Sequence, residues 1–307
     1  MNYKRANRAF LYMILSTIGL VVVISLWYLS GGSSISILMN NVLSEGVVLI
    51  PAVAAVLYSG EKLSTLIPFH KIRISSLFLI VVYVFALFPL VAFVNSVSML
   101  FVENTVSAIS QDVLAMPMWS MILAIGIFGP FVEEIVFRGV ILQSYQRTGR
   151  IIGSIVLSSV LFGMMHMNFN QFAYGAVMGI MLALLVEATG SVLSSFIAHA
   201  VFNTVEVVMM FSSRDVMSSA SEMASDYLDF FDGTISTIIY HVYLFIIAAI
   251  FTVIAVVIMR KIASIEGRLE FINSIPGCKK QGYKLLTLPL AIAIVICVSY
   301  MIFTLRI

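Results

Sequence analysis

The sequence predicts an all-α protein: a polytopic membrane helix bundle of about nine transmembrane helices with a cytoplasmic N-terminus. Hydrophobic residues make up 61% of the 307 positions and charged residues 10%, whereas about 25% of residues are charged in an ordinary soluble domain. The apolar residues also lie in blocks of roughly 20, the length at which a helix crosses about 30 Å of hydrocarbon. A β-barrel would show alternating segments of about ten residues, and the sequence does not have this pattern.

The apolar blocks place the predicted spans along the chain. We expect them at 9–29, 36–58, 75–102, 118–142, 151–166, 172–187, 191–212, 234–259 and 286–305. The fifth and sixth blocks are short, so we expect the helices there to meet inside the protein rather than at the far surface. The chain then divides into about three N-terminal helices (1–117), a helical core with polar motifs (118–212), and an acidic loop with two C-terminal helices (213–307).

Lysine and arginine predict the orientation, because they are enriched in cytoplasmic loops. With nine spans, most basic residues fall on the side of the N-terminus, among them Lys4, Arg147 and Lys261. The acidic segment 213–233 falls on the opposite side. We therefore expect the N-terminus inside and the C-terminus outside, in a bacterial plasma membrane, with the basic segment 260–285 against anionic headgroups.

The composition argues against several function classes. A net charge of +2 without a basic patch that contains aromatic residues does not predict nucleic-acid binding. The two cysteines, Cys278 in a basic loop and Cys297 in an apolar block, have neither disulfide nor metal-ligand spacing. The lipid bilayer is the first predicted partner. Function is then to be sought in polar residues within the spans, since each of them is costly in lipid.

The fourth span carries the strongest polar signal, Glu133-Glu134 followed by Arg138. At about 100° per residue, Glu134 and Arg138 lie on one helix face as an i,i+4 pair whose charges neutralise each other. Glu133 points elsewhere and has no local partner, which makes its carboxylate a candidate general base. Pro130 removes one helix hydrogen bond just before it, so we expect an irregular helix with room for water.

Two further spans carry polar groups at helical spacing. His166 ends the fifth span, in which Gly163 permits close approach of another helix. His199 and Asn203 share a face of the seventh span, and Glu206 extends the same stripe by one turn. Each group alone has a structural explanation, as a helix-packing hydrogen bond or an ion-pair clamp. Together they favour water-dependent chemistry, with a carboxylate as base and His and Asn donors for an oxyanion.

These motifs resemble those of a known family. The chain contains Glu133-Glu134-x-x-x-Arg138, Phe162-x-x-x-His166 and His199-x-x-x-Asn203, in this order. These segments resemble the three ordered motifs of the type II CAAX prenyl endopeptidases. The broader group includes bacterial bacteriocin-processing and immunity-type proteins. The resemblance covers about 118–212. It implies an intramembrane endopeptidase whose site is enclosed by helices.

The resemblance also implies roles for the motif residues. Glu133 is the base that activates a water molecule, and His166 helps to hold that water. His199 and Asn203 then form the oxyanion site, and the ion pair of the fourth span supports them. Two mechanisms stay open: a Zn²⁺ ion bound by Glu133, His166 and His199 as a His₂Glu set, or water activation by the glutamate without a metal.

Other function classes remain as alternatives. A non-catalytic bacteriocin-immunity or regulatory scaffold of the same family would use the same bundle and tolerate Glu133→Gln. A secondary transporter would use the polar groups as a proton relay, but the chain lacks recognisable repeated halves. For the enzyme, we expect a peptide or protein substrate at the membrane, lipidated or not, that is cleaved near the cytoplasmic half of the bilayer.

The depths of the two histidines are in conflict. His199 lies about eight residues, roughly 12 Å, from the cytoplasmic end of its span. His166 lies about sixteen residues, roughly 24 Å, from the same side. If both line one site, the fifth helix has to begin outside the bilayer or tilt strongly. The alternative is that the motifs do not converge.

Overall fold

The computed structural model describes residues 1–213, 233–275 and 284–305. All regular secondary structure in these ranges is helical, which confirms the predicted all-α class. The predicted acidic loop lies, except for its ends, outside the described residues, and so does part of the basic segment with Cys278.

Nine apolar helices, α1 to α9 in chain order, form the described part of the bundle. Their bounds are Tyr3–Leu29, Ile37–Leu57, Ile74–Ser98, Met118–Gln146, Ile151–Met165, Phe169–Thr189, Val192–Ser212, Gly233–Ile265 and Leu288–Thr304. Seven are long and apolar enough to cross a membrane, whereas α5 and α9 are shorter, with 15 and 17 residues. The described helices correspond one to one to the predicted spans, and the protein is a multi-pass integral membrane protein.

In the described ranges, four short helices lie between the long ones, at Leu63–Leu66, Thr105–Ala108, Ser110–Leu114 and Leu269–Ser274. The outer surface of the bundle is apolar, as the exposed side chains of Val23 on α1 and of Tyr243 and Val253 on α8 illustrate. Exposure to water would cost about 25 cal/mol for each Å² of such surface. Lipid removes that cost, so this surface fits contact with hydrocarbon.

Buried side chains form two main hydrophobic clusters. One includes Phe10 of α1, Val136 of α4 and Phe162 of α5. The other includes Leu182 of α6 and Phe202 of α7, together with residues of α3 and α8. The helices that carry the polar motifs are therefore divided between the two clusters.

Helices α5 and α6 pack closely because of a glycine. A Cβ on Gly163 would lie 2.6 Å from the backbone oxygen of Phe172, so a side chain here would collide with the backbone of α6. This confirms the close approach predicted for this position. With 15 residues, α5 is about 22 Å long, too short for about 30 Å of hydrocarbon, and its C-terminal end lies inside the bundle. The sixth helix, also predicted to be short, has 21 residues, because it begins at Phe169, three residues before the predicted start, and ends at Thr189, two residues after the predicted end.

The turn between α5 and α6 is covered by the segment after α3. The backbone N–H of Thr105 donates to Oδ1 of Asn170 (3.3 Å), and its hydroxyl donates to Oδ1 of Asn168 (3.1 Å). Nδ2 of Asn170 also donates to Oδ1 of Asn95, near the end of α3 (2.7 Å). These bonds hold the covering segment over the turn that carries His166.

Helix α4 departs from regular α-helical geometry around the paired glutamates. An α-helical piece, Gly129–Glu134, lies between two π-helical segments, Ile122–Phe128 and Ile135–Ile141. Pro130 stands in the first turn of the α-helical piece, next to the first π segment. The irregularity expected at this proline therefore takes the form of π-helical turns on both sides of the glutamates. Such turns are rare and occur often at functional sites.

The turn between α6 and α7 fixes where α7 begins. Gly190 ends α6 with a φ of 73°, a left-handed conformation that glycine adopts without steric cost. Ser191 then caps α7, because its hydroxyl accepts the N–H of Leu193 (3.3 Å). The same hydroxyl donates to the backbone oxygen of His70 (2.8 Å). This anchored start sets the register with which α7 presents His199 to α4.

Candidate active site

Glu133 and Glu134 are neighbours on the α-helical piece of α4 and face different surroundings. Glu134 is fully buried, whereas 8% of Glu133 is exposed. Glu133 lines an internal cavity of about 360 Å³, and Glu134 is absent from its wall among the described residues. One carboxylate is thus available to a ligand in the cavity, and the other belongs to the protein interior.

Glu134 forms the ion pair expected from helical spacing. Nη1 of Arg138 donates to Oε1 of Glu134 at 2.7 Å, and Nη2 donates to the backbone oxygen of Gly179 at 3.3 Å. The guanidinium also lies 4.3 Å from the centre of the Phe162 ring, a cation–π arrangement. We call Glu134, Arg138 and Phe162 the buried support. Its charges compensate each other, which is the condition for keeping ions in a low-dielectric interior.

His199 connects the buried support to the cavity. Its Nδ1 lies 3.0 Å from Oε1 of Glu134. Because an ionised carboxylate only accepts hydrogen bonds, this nitrogen carries a proton and donates. Nε2, on the other side of the ring, lies 3.5 Å from Oε2 of Glu133. The imidazole therefore stands between the two carboxylates, held by Glu134 and turned toward Glu133.

His166 is oriented by its own helix. Its Nδ1 lies 3.0 Å from the backbone oxygen of Phe162, one turn earlier, and donates to it because a carbonyl oxygen only accepts. The ring also packs edge-to-face on the Phe162 side chain, with 5.3 Å between ring centres. The remaining nitrogen, Nε2, is free of this bond and His166 lines the cavity.

Asn203 is fixed by a backbone group of the first π segment. Its Nδ2 donates to the carbonyl oxygen of Ile125 at 3.2 Å. The amide has a second N–H and an acceptor oxygen that this bond does not use. Asn203 also lines the cavity, and Glu206, one turn further along α7, is exposed there.

The motifs converge. Glu133, His166, His199 and Asn203, which we call the cavity wall, all line the same cavity. This resolves the conflict between the predicted depths of the histidines. Because α5 is short and its end lies inside the bundle, His166 comes to the level of His199 although it stands at the opposite end of its helix. The roles assigned to these residues stay predictions.

The cavity runs toward one end of the bundle. Its wall includes Ile37 near the start of α2, Val106 in the segment after α3, and Met210 near the end of α7. With the predicted orientation, this is the extracytoplasmic end. The sequence placed cleavage near the cytoplasmic half, because His199 lies close to the start of α7. The cavity instead extends from His199 toward the end of that helix.

Several polar residues of the cavity were missed in the sequence, among them Glu45 and Asn41. Glu45 and Asn41 lie one turn apart on α2 and line the cavity. Glu45 is only 8% exposed. No short motif marks it, and its contact with α4 joins residues that are far apart in sequence. The available signal was its position, as the one charged residue within the predicted second span.

Binding of a metal ion depends on how the His, Cys, Asp and Glu side chains of the protein are placed. Among the described residues, no three His, Cys, Asp or Glu side chains form a group that could hold a metal ion. Glu133, His166 and His199 share the cavity, but as arranged they do not form the His₂Glu set considered from the sequence. We therefore derive no catalytic step through a metal.

Comparison with known proteins confirms the resemblance for the part of the chain that carries the motifs. Residues 115–205 match the model of a family described as type II CAAX prenyl endopeptidase Rce1-like. A protein of Bacillus subtilis (strain 168) named "Putative membrane peptidase YdiL" is 34% identical over 108 residues. The aligned part covers 35% of this chain and 43% of that protein, so the chain spans less than half of the relative's length. No solved structure matches the chain.

Proposed function

We propose that the protein is an intramembrane endopeptidase that hydrolyses a peptide bond of a membrane-associated peptide or protein, with a water molecule activated by Glu133. The observation that carries this proposal is the convergence of Glu133, His166, His199 and Asn203 on one cavity. The family match over 115–205 includes all four residues.

The first step is the attack of water on the peptide carbonyl. Glu133 takes one proton from the water as the oxygen bonds to the carbonyl carbon. The free Nε2 of His166 accepts a hydrogen bond from the second water proton and orients the nucleophile. A tetrahedral intermediate with a negative oxygen results. Access to water inside the bundle is limited to the cavity, which strengthens each of these electrostatic interactions.

The oxyanion is stabilised from α7. The N–H of Asn203 that is not bonded to Ile125 can donate to it, as can Nε2 of His199 when that ring is doubly protonated. The buried support holds His199 in place through Glu134. In the last step the carbon–nitrogen bond breaks, and protonated Glu133 returns its proton to the leaving amine. The net reaction consumes one water and leaves Glu133 ionised.

The test is hydrolysis by the full chain in lipid nanodiscs, with a library of quenched fluorogenic peptides as probes. We expect Glu133→Gln to lower the rate by about 10²–10⁴-fold and to leave the purified protein monodisperse with an unchanged unfolding temperature. Glu103→Gln is the matched control, because Glu103 is an exposed carboxylate outside the site. Full activity in Glu133→Gln would refute the proposal. Loss of folding in that variant would make Glu133 a structural residue.

Two further measurements separate the alternatives. Treatment with EDTA and 1,10-phenanthroline tests the metal: the proposed mechanism predicts unchanged hydrolysis, and a loss that Zn²⁺ restores would establish a metalloenzyme instead. The non-catalytic scaffold predicts that no peptide is hydrolysed and that Glu133→Gln and His166→Ala leave the cellular phenotype intact.

A further inference from the structure

We infer that Glu45 and Asn41 form a subsite in the cavity that binds a cationic group of the substrate, an ammonium or guanidinium, close to the scissile bond. This inference rests on the proposed function for its substrate, a peptide. The residues lie outside the part of the chain that matches the family.

Glu45 has an unused acceptor in an enclosed place. The residue is 92% buried, and its Oε2 has no hydrogen-bond partner among the described residues. Oδ1 of Asn41, one turn earlier on the same face of α2, is likewise buried without such a partner. A buried acceptor left unsatisfied costs free energy, more so when it is charged. Two adjacent open acceptors fit a ligand that only donates, and ammonium and guanidinium groups donate only.

The described charged groups that line the cavity are negative, which also favours a cationic ligand. The described wall of the cavity contains the carboxyl groups of Glu45, Glu133 and Glu206 and no lysine or arginine. Arg138, the cation closest in sequence to these carboxylates, is buried behind the wall and is bonded to Glu134. A cationic ligand would therefore be attracted, and an anionic one would be repelled.

The subsite lies beside the proposed catalytic base. Oε1 of Glu45 is 3.3 Å from the position that a Cβ on Gly129 would occupy. Gly129 stands four residues before Glu133, on the same face of the α-helical piece, so the Glu45 carboxylate contacts α4 about one helical turn, roughly 6 Å along the axis, before the backbone position of Glu133. An extended peptide advances at most about 3.6 Å per residue. The cationic group thus belongs to a residue within about two positions of the scissile bond, or to a free N-terminus at that distance.

The experiment measures binding rather than hydrolysis. The full chain with Glu133→Gln, in nanodiscs, is photo-crosslinked to octapeptides that contain a benzophenone and one lysine at each position in turn, with acetylated N-termini. Each peptide has a twin in which acetyllysine replaces lysine. We expect the best lysine peptide to crosslink at least about tenfold more than its twin, since a hydrogen bond to a charged group is worth about 1.5–3 kcal/mol. Adding Glu45→Gln abolishes the difference, and Glu103→Gln does not.

The controls distinguish the sources of the cation and guard against misfolding. One control peptide contains acetyllysine and has a free N-terminus. If it crosslinks as well as the lysine peptide, the subsite binds the terminal amine. Asn41→Ala, a milder change, is expected to lower the lysine preference a few-fold without affecting folding. The inference is overturned if lysine and acetyllysine peptides crosslink equally, with acetylated and with free N-termini. It is also overturned if the lysine preference persists in Glu45→Gln. A preference that EDTA removes overturns it as well, because Glu45 would then bind a metal.

The outcome is independent of catalysis. A lysine preference in crosslinking together with no hydrolysis by the wild-type chain would refute the proposed function and leave the subsite standing. Hydrolysis without any preference for a cationic residue would support the proposed function and refute the subsite. Where both hold, Glu45→Gln lowers kcat/KM at least about tenfold more for the lysine substrate than for its acetyllysine twin.

Discussion

The buried support and the cavity wall begin at adjacent residues, Glu134 and Glu133, and satisfy their polar groups in opposite ways. In the buried support, Arg138 donates to Glu134 and to the backbone, so the two charges balance within the protein, although Oε2 of Glu134 has no hydrogen-bond partner among the described residues. On the cavity wall, Glu133 has one described ionic neighbour, Nε2 of His199 at 3.5 Å, beyond ordinary hydrogen-bond length. The charges of the first arrangement are paired within the protein, whereas the second faces a cavity that can hold a ligand.

This difference shows that ionisable residues within a membrane protein do not all carry the same meaning. A paired group contributes to folding through its partner, and removal of either partner leaves a buried charge uncompensated. A group that faces a cavity contributes little to folding, because its partners are water or a ligand. Substitutions in the buried support should therefore lower the free energy of unfolding, whereas substitutions in the cavity wall should lower activity with little effect on stability.

The largest effect on stability is expected for Arg138→Met. The substitution leaves the Glu134 carboxylate buried without its cation, which costs about 3–5 kcal/mol. Activity falls with it, since Glu134 also holds His199. The measurement is the free energy of unfolding from an SDS titration in mixed micelles, compared with Glu133→Gln, for which we expect no loss.

A double variant checks that charge is the cause. Arg138→Met with Glu134→Gln removes both ions, so most of the lost stability should return, because a buried ion pair contributes little net stability over neutral groups. Activity should stay low, since a neutral amide holds the imidazole of His199 less strongly than a carboxylate. If the double variant were as unstable as Arg138→Met alone, packing on Phe162 would be the main role of Arg138.

A smaller effect is expected at Gly163, where α5 packs closely against α6. Gly163→Ala places a Cβ 2.6 Å from the backbone oxygen of Phe172, and such overpacking costs about 1–3 kcal/mol. Gly153→Ala on the same helix is the matched control, since a Cβ there would meet the Leu285 side chain at 3.7 Å, an ordinary van der Waals distance. The SDS titration should show destabilisation in the first variant only. Similar unfolding of both would show that α5 shifts at little cost.

The sequence was sufficient to predict the features that depend on local spacing. Block length predicted the helices, and the separation of four residues predicted the pair of Glu134 with Arg138. The same spacing placed His199 and Asn203 on one helix face, and both line the cavity. Helical geometry is local, so these relations can be read from position in the chain alone.

Relations between helices could not be predicted in this way. Glu45 reaches Gly129 across 84 positions of the chain, and no periodicity encodes that contact. The segment that begins at Thr105 and covers the turn that carries His166 is likewise not revealed by the length of apolar blocks. The π-helical turns of α4 also escaped prediction, because they redistribute hydrogen bonds among residues that are all compatible with an α-helix.

The smallest effect concerns an ion pair outside the spans, Glu61 with Arg147. Nη1 of Arg147 donates to Glu61 at 2.8 Å, and this bond is the main reason that the pKa of Glu61 is lowered from 4.5 to about 2. A lowered pKa stabilises the fold above the unfolded value, so the contribution persists above about pH 4.5 and is lost as the pH falls toward 2. For an exposed pair it amounts to less than about 1 kcal/mol.

The measurement is the pH dependence of the unfolding temperature of the wild type minus that of Glu61→Gln. We expect the difference to be constant from pH 7 to about 4.5, to shrink below that, and to be reduced by 1 M salt, which screens exposed charges. The pair of Glu134 with Arg138 is enclosed, so the cost of Arg138→Met should be insensitive to the same salt. Equal salt sensitivity of the two pairs would mean that water reaches the buried support, and the contrast between it and the cavity wall would no longer hold.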